Sequence, residues 1–359
     1  MNTMNTSTPV TSNPTNVVSD SDKRFVGLIV LAVVLSVSCA PYPHIARWVG
    51  FGFAAYAAVA NDSIQTLGTF LASNKQRPWY VLWSFAAGIF LLTMGYSWLN
   101  YGGDVSYGRL AAKGFETTPM AFTGLQVAAP VVLVVLTRLK MPVSTTLLLL
   151  TSFATEMSAV SKVLVKSLSG YVLAFVLAFG LWFAMQKVFA KWFTKPMHRG
   201  WIGAQWLTTG LLWSVWLQQD AANIAVYLPR SLNIWEFVAF AGTVVIGLAW
   251  IFKNGGDKIQ EVVDEKNNVT DIRAATMIDF LYAIILFYFK IHSKIPMSTT
   301  WVFLGLLGGR ELAIALQSKG LANVRTPSQA FQMLTKDAGM ASIGLVVSFV
   351  VAYFVNGGL

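Results

Sequence analysis

KMPVSTTLLLL spans Lys140–Leu150, and KIPMSTTWVFL spans Lys294–Leu304. Pro-x-Ser-Thr-Thr therefore occurs twice, each time where an apolar run begins, with the prolines at positions 142 and 296, 154 residues apart. One copy alone reads as a loop entering a helix, because proline fixes φ, lacks an N–H and suits a first turn. Two copies read as a duplicated device.

Two further echoes keep the same order and nearly the same spacing. WLNYGGD at Trp98–Asp104 returns as WIFKNGGD at Trp250–Asp257, and ANDSIQTLGT at Ala60–Thr69 aligns with QQDAANIAVY at Gln218–Tyr227. In the second pair Asp62 matches Asp220, and each acid follows an amide (Asn61, Gln219) and precedes another by three residues (Gln65, Asn223). Internal repetition of this period is the signature of a duplicated architecture.

Composition sets the environment. Of 359 residues 55% are hydrophobic and 12% charged, and the mean hydropathy is +0.58. Soluble domains carry about 25% charged residues. Apolar stretches at Phe25–Cys39, Val81–Leu99, Val127–Leu136, Gly170–Met185, Phe237–Phe252, Met277–Phe289 and Ile343–Phe354 approach, with their flanks, the ~20 residues that cross a bilayer. The 28 glycines and 13 tryptophans suit close helix packing and interfacial belts. The formal charge of +10 comes from Lys and Arg beside apolar segments, such as Lys23/Arg24, Lys75/Arg77, Arg138/Lys140 and Lys187–Arg199. That pattern points to lipid headgroups, not nucleic acid. The single Cys39 excludes an intramolecular disulfide and a Cys-based zinc site.

The expected fold is an all-α polytopic membrane protein on an inverted-repeat plan with broken or re-entrant helices. About 155 residues per half hold roughly five passes, an odd number that inverts the second half. The divisions are a disordered polar tail (1–22), a first half (23–165), a connecting span and basic linker (166–200), a second half (201–320) and a C-terminal loop and span (321–359). The polar stretches Tyr101–Pro119 and Lys253–Ala275 are expected to be loops. The location is integral to a bacterial-type inner or plasma membrane, and a homodimer is compatible with this plan.

The paired motifs carry chemistry. A carboxylate at bilayer depth costs about 2.5–3.5 kcal/mol and normally has a partner. Asp62 and Asp220 among the oxygens of Asn61, Gln65, Gln219 and Asn223 suit a hard monovalent cation or a proton. Ser144, Thr145, Thr146 and Ser298, Thr299, Thr300 offer caps, hydroxyls and outward-pointing first-turn N–H groups, which attract anions. A co-bound cation would offset an anion's charge against a membrane potential, so symport is the expected mechanism. Glu156 and Glu311 are candidates for a gate or proton site, or else for structural ion pairs with Lys162 and Arg310. His292 reads as interfacial.

With both motifs present in both halves and in order, residues 45–320 resemble the inorganic phosphate transporter (PiT) family, cation-coupled symporters that also include sulfate permeases. The resemblance implies that Asn61, Asp62, Gln65, Gln219, Asp220 and Asn223 line the cation region and that the six hydroxyl residues hold the anion. The family's His after Ser-Thr-Thr is Leu147 and Trp301 here, one signature Asn in each half is Gln, and the preceding Gly is absent. The implied cargo is inorganic phosphate with Na+ or H+, and sulfate is the alternative. No cofactor beyond the transported Na+ or H+ is expected. The scattered His44, His198 and His292 and the lack of a nucleophile with a base speak against an enzyme. A channel, or a non-transporting scaffold or sensor, is the reading from another class.

Overall fold

A computed structural model describes residues 20–112, 114–139, 141, 143–194, 196–255, 271–292, 295–317 and 325–355. The helices are α1 (Asp20–Cys39), α2 (Pro43–Ser73), α3 (Trp79–Asn100), α4 (Gly124–Arg138), α5 (Thr145–Leu148), α6 (Met157–Phe193), α7 (Gly200–Ala225), α8 (Ile234–Lys253), α9 (Ile272–His292), α10 (Thr299–Gln317) and α11 (Pro327–Val355), with 3₁₀ turns at Arg109–Ala111 and Leu150–Phe153. Among the described residues six helices, α3, α6, α8, α9, α10 and α11, are long and apolar enough to cross a membrane. The chain is an all-α polytopic membrane protein.

The expected tail lies largely outside the described residues, but its last three positions, 20–22, already belong to α1. Of the stretch 253–275, residues 256–270 lie outside the description, and α9 begins at Ile272, inside the segment expected to be a loop. Asp257, like Lys140, Pro142 and Lys294 of the opening motifs, is also outside it. Helix α6 runs through the boundary expected at 165/166. The element order matches α2–α6 with α7–α11, so α11 is the counterpart of α6 and α1 is the helix outside the repeat.

Burial sorts the helices into two layers. The inner layer is polar-bearing: Asn61, Asp62, Gln65, Thr66 and Thr69 of α2, and Gln205, Thr209, Gln219, Asp220 and Asn223 of α7, are all buried. The outer helices turn apolar side chains outward, including Leu92 of α3, Val172 and Val176 of α6, Ile246 of α8 and Val346 of α11. That reversal is what a lipid surround favours, since backbone and side-chain polar groups must then be satisfied inside the protein.

Local signals start several helices. Thr123 and Gln126 form a capping box at α4, and Asn233 and Glu236 form one at α8, each satisfying otherwise orphaned N–H groups. Tryptophan indoles tie the two halves together, a role beyond the expected interfacial belt. Trp83 of α3 donates to the Val245 carbonyl at 3.0 Å, Trp98 to Leu232 at 2.7 Å, and Trp213 of α7 to Ala86 at 2.9 Å. The Gly-Gly-Asp turn of the first half docks on the second: Leu232 N–H donates to Gly103 at 3.0 Å, and Ser231 donates to the Gly102 carbonyl at 2.7 Å. Gly103 has φ +91°, and a Cβ there would lie 2.6 Å from Ser231 Oγ.

Helices α6 and α10 cross with their backbones in contact. A Cβ at Gly305 or Gly309 would run into the carbonyl oxygens of Tyr171 and Phe175, respectively. Small residues are what permit such an approach in lipid. Gly305→Val should therefore force the pair apart and cost about 1–3 kcal/mol. In detergent it should lower the thermal unfolding midpoint, whereas Gly242→Ala, which faces open space, should not. Equal midpoints for the two variants would contradict the close crossing.

Candidate functional site

The two acid–amide motifs meet at the crossing of α2 and α7. On α2, Asn61 Nδ2 donates to Asp62 Oδ1 at 2.5 Å and to the Val143 carbonyl at 3.0 Å, and Gln65 Nε2 donates to Asn61 Oδ1 at 3.0 Å. On α7, Asn223 Nδ2 donates to Asp220 Oδ1 at 2.7 Å, and Gln219 Nε2 donates to the Leu286 carbonyl at 2.7 Å. The same local arrangement therefore occurs in both halves: a neighbouring amide holds one carboxylate oxygen. The other oxygens, Asp62 Oδ2 and Asp220 Oδ2, are buried without a hydrogen-bond partner among the described residues, as are Gln219 Oε1 and Asn223 Oδ1.

Thr146 joins the motifs. Its hydroxyl accepts from Asn223 Nδ2 at 3.0 Å, and its single hydrogen faces the Met297 carbonyl at 3.1 Å and Asp220 Oδ1 at 3.3 Å. Thr299 accepts from the Trp216 indole at 3.2 Å, lies beside Asp220, and its carbonyl accepts from Tyr282 at 2.9 Å. The structure thus brings together Asn61, Asp62, Gln65, Gln219, Asp220, Asn223, Thr146 and Thr299.

The Ser-Thr-Thr ends differ from the expected matched pair of half-helices. Ser298 heads the 19-residue α10, but Ser144 heads the four-residue α5, which passes into a 3₁₀ turn at Leu150–Phe153. A helix of one turn carries little macrodipole, since the aligned peptide dipoles must sum along its length. Both serines are spent as caps, with Ser144 accepting from Leu147 N–H at 3.1 Å and Ser298 from Trp301 N–H at 3.2 Å. Among the described residues the buried Thr145 and Thr300 hydroxyls make no hydrogen bond, so of the six they are the ones available to a ligand.

The two glutamates lie elsewhere. Glu156 is half-exposed at the start of α6 and accepts from Ser158 at 2.9 Å. Glu311 is bridged by Arg310 at 2.5 Å and Arg325 at 3.0 Å, the ion-pair alternative with a second arginine added.

Three basic side chains outside the motifs lie to one side of this centre, Arg109 beside Asp220 and Lys166 and Lys290 beside Arg109. Arg109 is 2% exposed, donates Nε to the Gln218 carbonyl at 2.7 Å and interacts electrostatically with Asp220. Lys290 of α9 donates to the Gln218 side chain, Lys166 of α6 donates to the Ile295 carbonyl, and both lie close enough to Arg109 for mutual repulsion. Lys166 and Lys290 flank the apolar runs Gly170–Met185 and Met277–Phe289, where a basic side chain ordinarily reaches the interface, so their positions in sequence carry no intramembrane signal. Arg109 lies in no apolar run either. It is delivered by a tight turn in which Asp104 accepts from Ser106 N–H and Gly108 N–H at 2.7 Å each, and Tyr107 is held at φ +56°. A non-glycine residue in that region persists only where its surroundings over-determine it, and Tyr107 OH donating to the Thr93 carbonyl at 2.6 Å is one such restraint.

Thr146→Val removes the hydroxyl that both donates and accepts between the halves. It should destabilise the protein by about 1–3 kcal/mol, read as a lower unfolding midpoint, and Thr145→Val should cost clearly less. Equal losses would contradict the bridging role. Comparison of the chain with protein-family models, curated proteins and solved structures finds no match.

Proposed function

We propose that the protein is a secondary active symporter that carries inorganic phosphate together with Na+ or H+. The observation that carries this reading is the coexistence, in one buried centre, of unpartnered acceptor oxygens and basic side chains. Leaving a buried acceptor unsatisfied costs about 1–3 kcal/mol, and more for a charged one. Asp62 Oδ2, Asp220 Oδ2, Gln219 Oε1 and Asn223 Oδ1 therefore call for a cation, a proton or a substrate hydroxyl. All four are hard oxygens, the ligand type that alkali and other hard cations prefer.

Arg109, Lys166 and Lys290 supply the complementary attraction for an oxyanion, together with Thr145, Thr300 and the N-terminus of α10. With Asp62 and Asp220 ionised, these five charged groups sum to +1, so the centre gains from one net negative ligand. Binding a cation and a divalent oxyanion together satisfies both sets at once, which is the electrostatic basis of symport.

Phosphate is favoured over sulfate by the carboxylates. At neutral pH phosphate keeps at least one proton and can donate to Asp62 Oδ2 or Asp220 Oδ2, whereas sulfate only accepts and would face a repelling oxygen. A channel, scaffold or sensor would not need acids and bases desolvated together.

Purified protein in liposomes should accumulate labelled phosphate under an imposed Na+ or H+ gradient, and sulfate should compete weakly. Asp220→Asn should abolish gradient-driven accumulation. Arg109→Gln should raise the half-saturating phosphate concentration about 10–100-fold, the scale of one lost charge-assisted contact of about 1.5–3 kcal/mol. Normal accumulation by Asp220→Asn would show that the acids do not couple the cation to the anion.

A further inference from the structure

Asp279 is absent from the motifs and from the site above. It lies in the apolar run of α9 and is 1% exposed. Its two oxygens face the two repeat-related helices: Thr69 of α2 donates to Oδ1 at 2.7 Å, and Thr209 of α7 donates to Oδ2 at 2.5 Å. Both partners are neutral hydroxyls. An ionised carboxylate at bilayer depth, held by neutral groups alone, bears most of its desolvation cost.

The same two helices continue a polar file beyond Asp279. Ser73 donates to the Thr69 carbonyl at 2.7 Å, Gln205 donates to Ser73 Oγ, and Asn74 Nδ2 donates to Gln205 Oε1 at 3.0 Å. Asn74 Oδ1, at the end of the file, is buried without a partner among the described residues. In the other direction Thr66 and then Asp62 follow on α2, and Asp62 lies about 10 Å from Thr69 at 1.5 Å rise per residue. The file thus has an unpartnered acceptor at each end, Asn74 Oδ1 and Asp62 Oδ2, with a carboxyl between them.

We propose that Asp279 is a proton-binding site, separate from the Asp62/Asp220 pair, on a hydroxyl-and-amide file leading from the Asn74/Gln205 end of the protein toward Asp62. A proton fits this geometry better than a metal ion, because both oxygens already sit on Thr hydroxyls, and a carboxylic acid can return a hydrogen bond to either one. Uptake forms an O–H bond on one carboxylate oxygen as the O–H bond of a donating hydronium breaks, and release returns the proton to a water; a hydroxyl of the file that takes the proton hands its own on in the same step. Among the described residues no charged side chain of the helices packed against α9 bonds Asp279. On α2 the acid is Asp62; on α7 it is Asp220. On α6 Lys166 is tied to the Ile295 carbonyl, and on α10 Arg310 is paired with Glu311. Within α9, Tyr282 donates to Thr299, Arg273 binds Asp271 at 2.6 Å and Lys290 binds Gln218.

The protonation claim stands without transport; the role as a relay rests on the symport reading. The test is pH-titrated infrared difference spectroscopy of the purified protein in lipid. A protonated-carboxyl C=O band should appear and titrate in the wild type and in Asp62→Asn, and should vanish in Asp279→Asn. Thr209→Val, which removes one hydroxyl from the carboxylate, should move that band's midpoint upward by one pH unit or more, and it serves where Asp279→Asn does not fold. A band unchanged in Asp279→Asn, or a midpoint unmoved by Thr209→Val, would overturn the proposal. With the band assigned to Asp279 and no wild-type transport in liposomes, the symport reading fails and the proton site stands.

Discussion

Two carboxylates, each held through one oxygen only, organise this protein. Asp62 and Asp220 are buried, and a neighbouring amide in each half satisfies Oδ1, while Oδ2 has no partner among the described residues. An isolated arrangement of this kind is expensive. Its presence twice, on the two central helices, explains why α2 and α7 turn their polar side chains into the protein while the helices around them turn apolar surfaces outward. It also explains the bridging threonine: Thr146 lets the first half's short helix touch Asp220, Asn223 and Met297 of the second.

The basic groups complete the electrostatics. Arg109 offsets Asp220 but is itself crowded by Lys166 and Lys290. On the proposed symport reading, a centre holding groups of both signs would take ions of both signs, and binding of one would change the cost of binding the other. Such coupling is reciprocal by thermodynamic necessity. Asp279 adds a third buried acid off this centre, with its own hydroxyl partners and its own file of polar groups.

The repeat, the membrane fold and the acid–amide pairs were legible because each rests on local or periodic information. Asp62 and Asp220 recur in one spacing, and the apolar runs have the length of a span. The cap of α4 is likewise written in sequence, as Thr123 three residues before Gln126. Other features depend on contacts between distant segments. Arg109 reaches Gln218 only because Asp104 and the left-handed Tyr107–Gly108 turn fold the loop inward. The break of the first Ser-Thr-Thr helix after one turn also involves a distant segment, since Gln126 of α4 takes the Ser152 carbonyl at 3.1 Å. Asp279, by contrast, is legible as an ionisable residue inside the apolar run Met277–Phe289, although it belongs to no repeated motif. Lys166 and Lys290 flank apolar runs, as other basic residues of the chain do, and only the tertiary structure brings them to Arg109.

The most direct test of a shared centre is the affinity for phosphate measured by calorimetry on the purified protein, with and without saturating Na+ and at two pH values. Cation or proton at Asp62 and Asp220 should tighten phosphate binding about tenfold or more, a coupling of about 1.4 kcal/mol, and phosphate should tighten cation binding by the same factor. Phosphate affinity that is independent of both Na+ and pH would contradict the account.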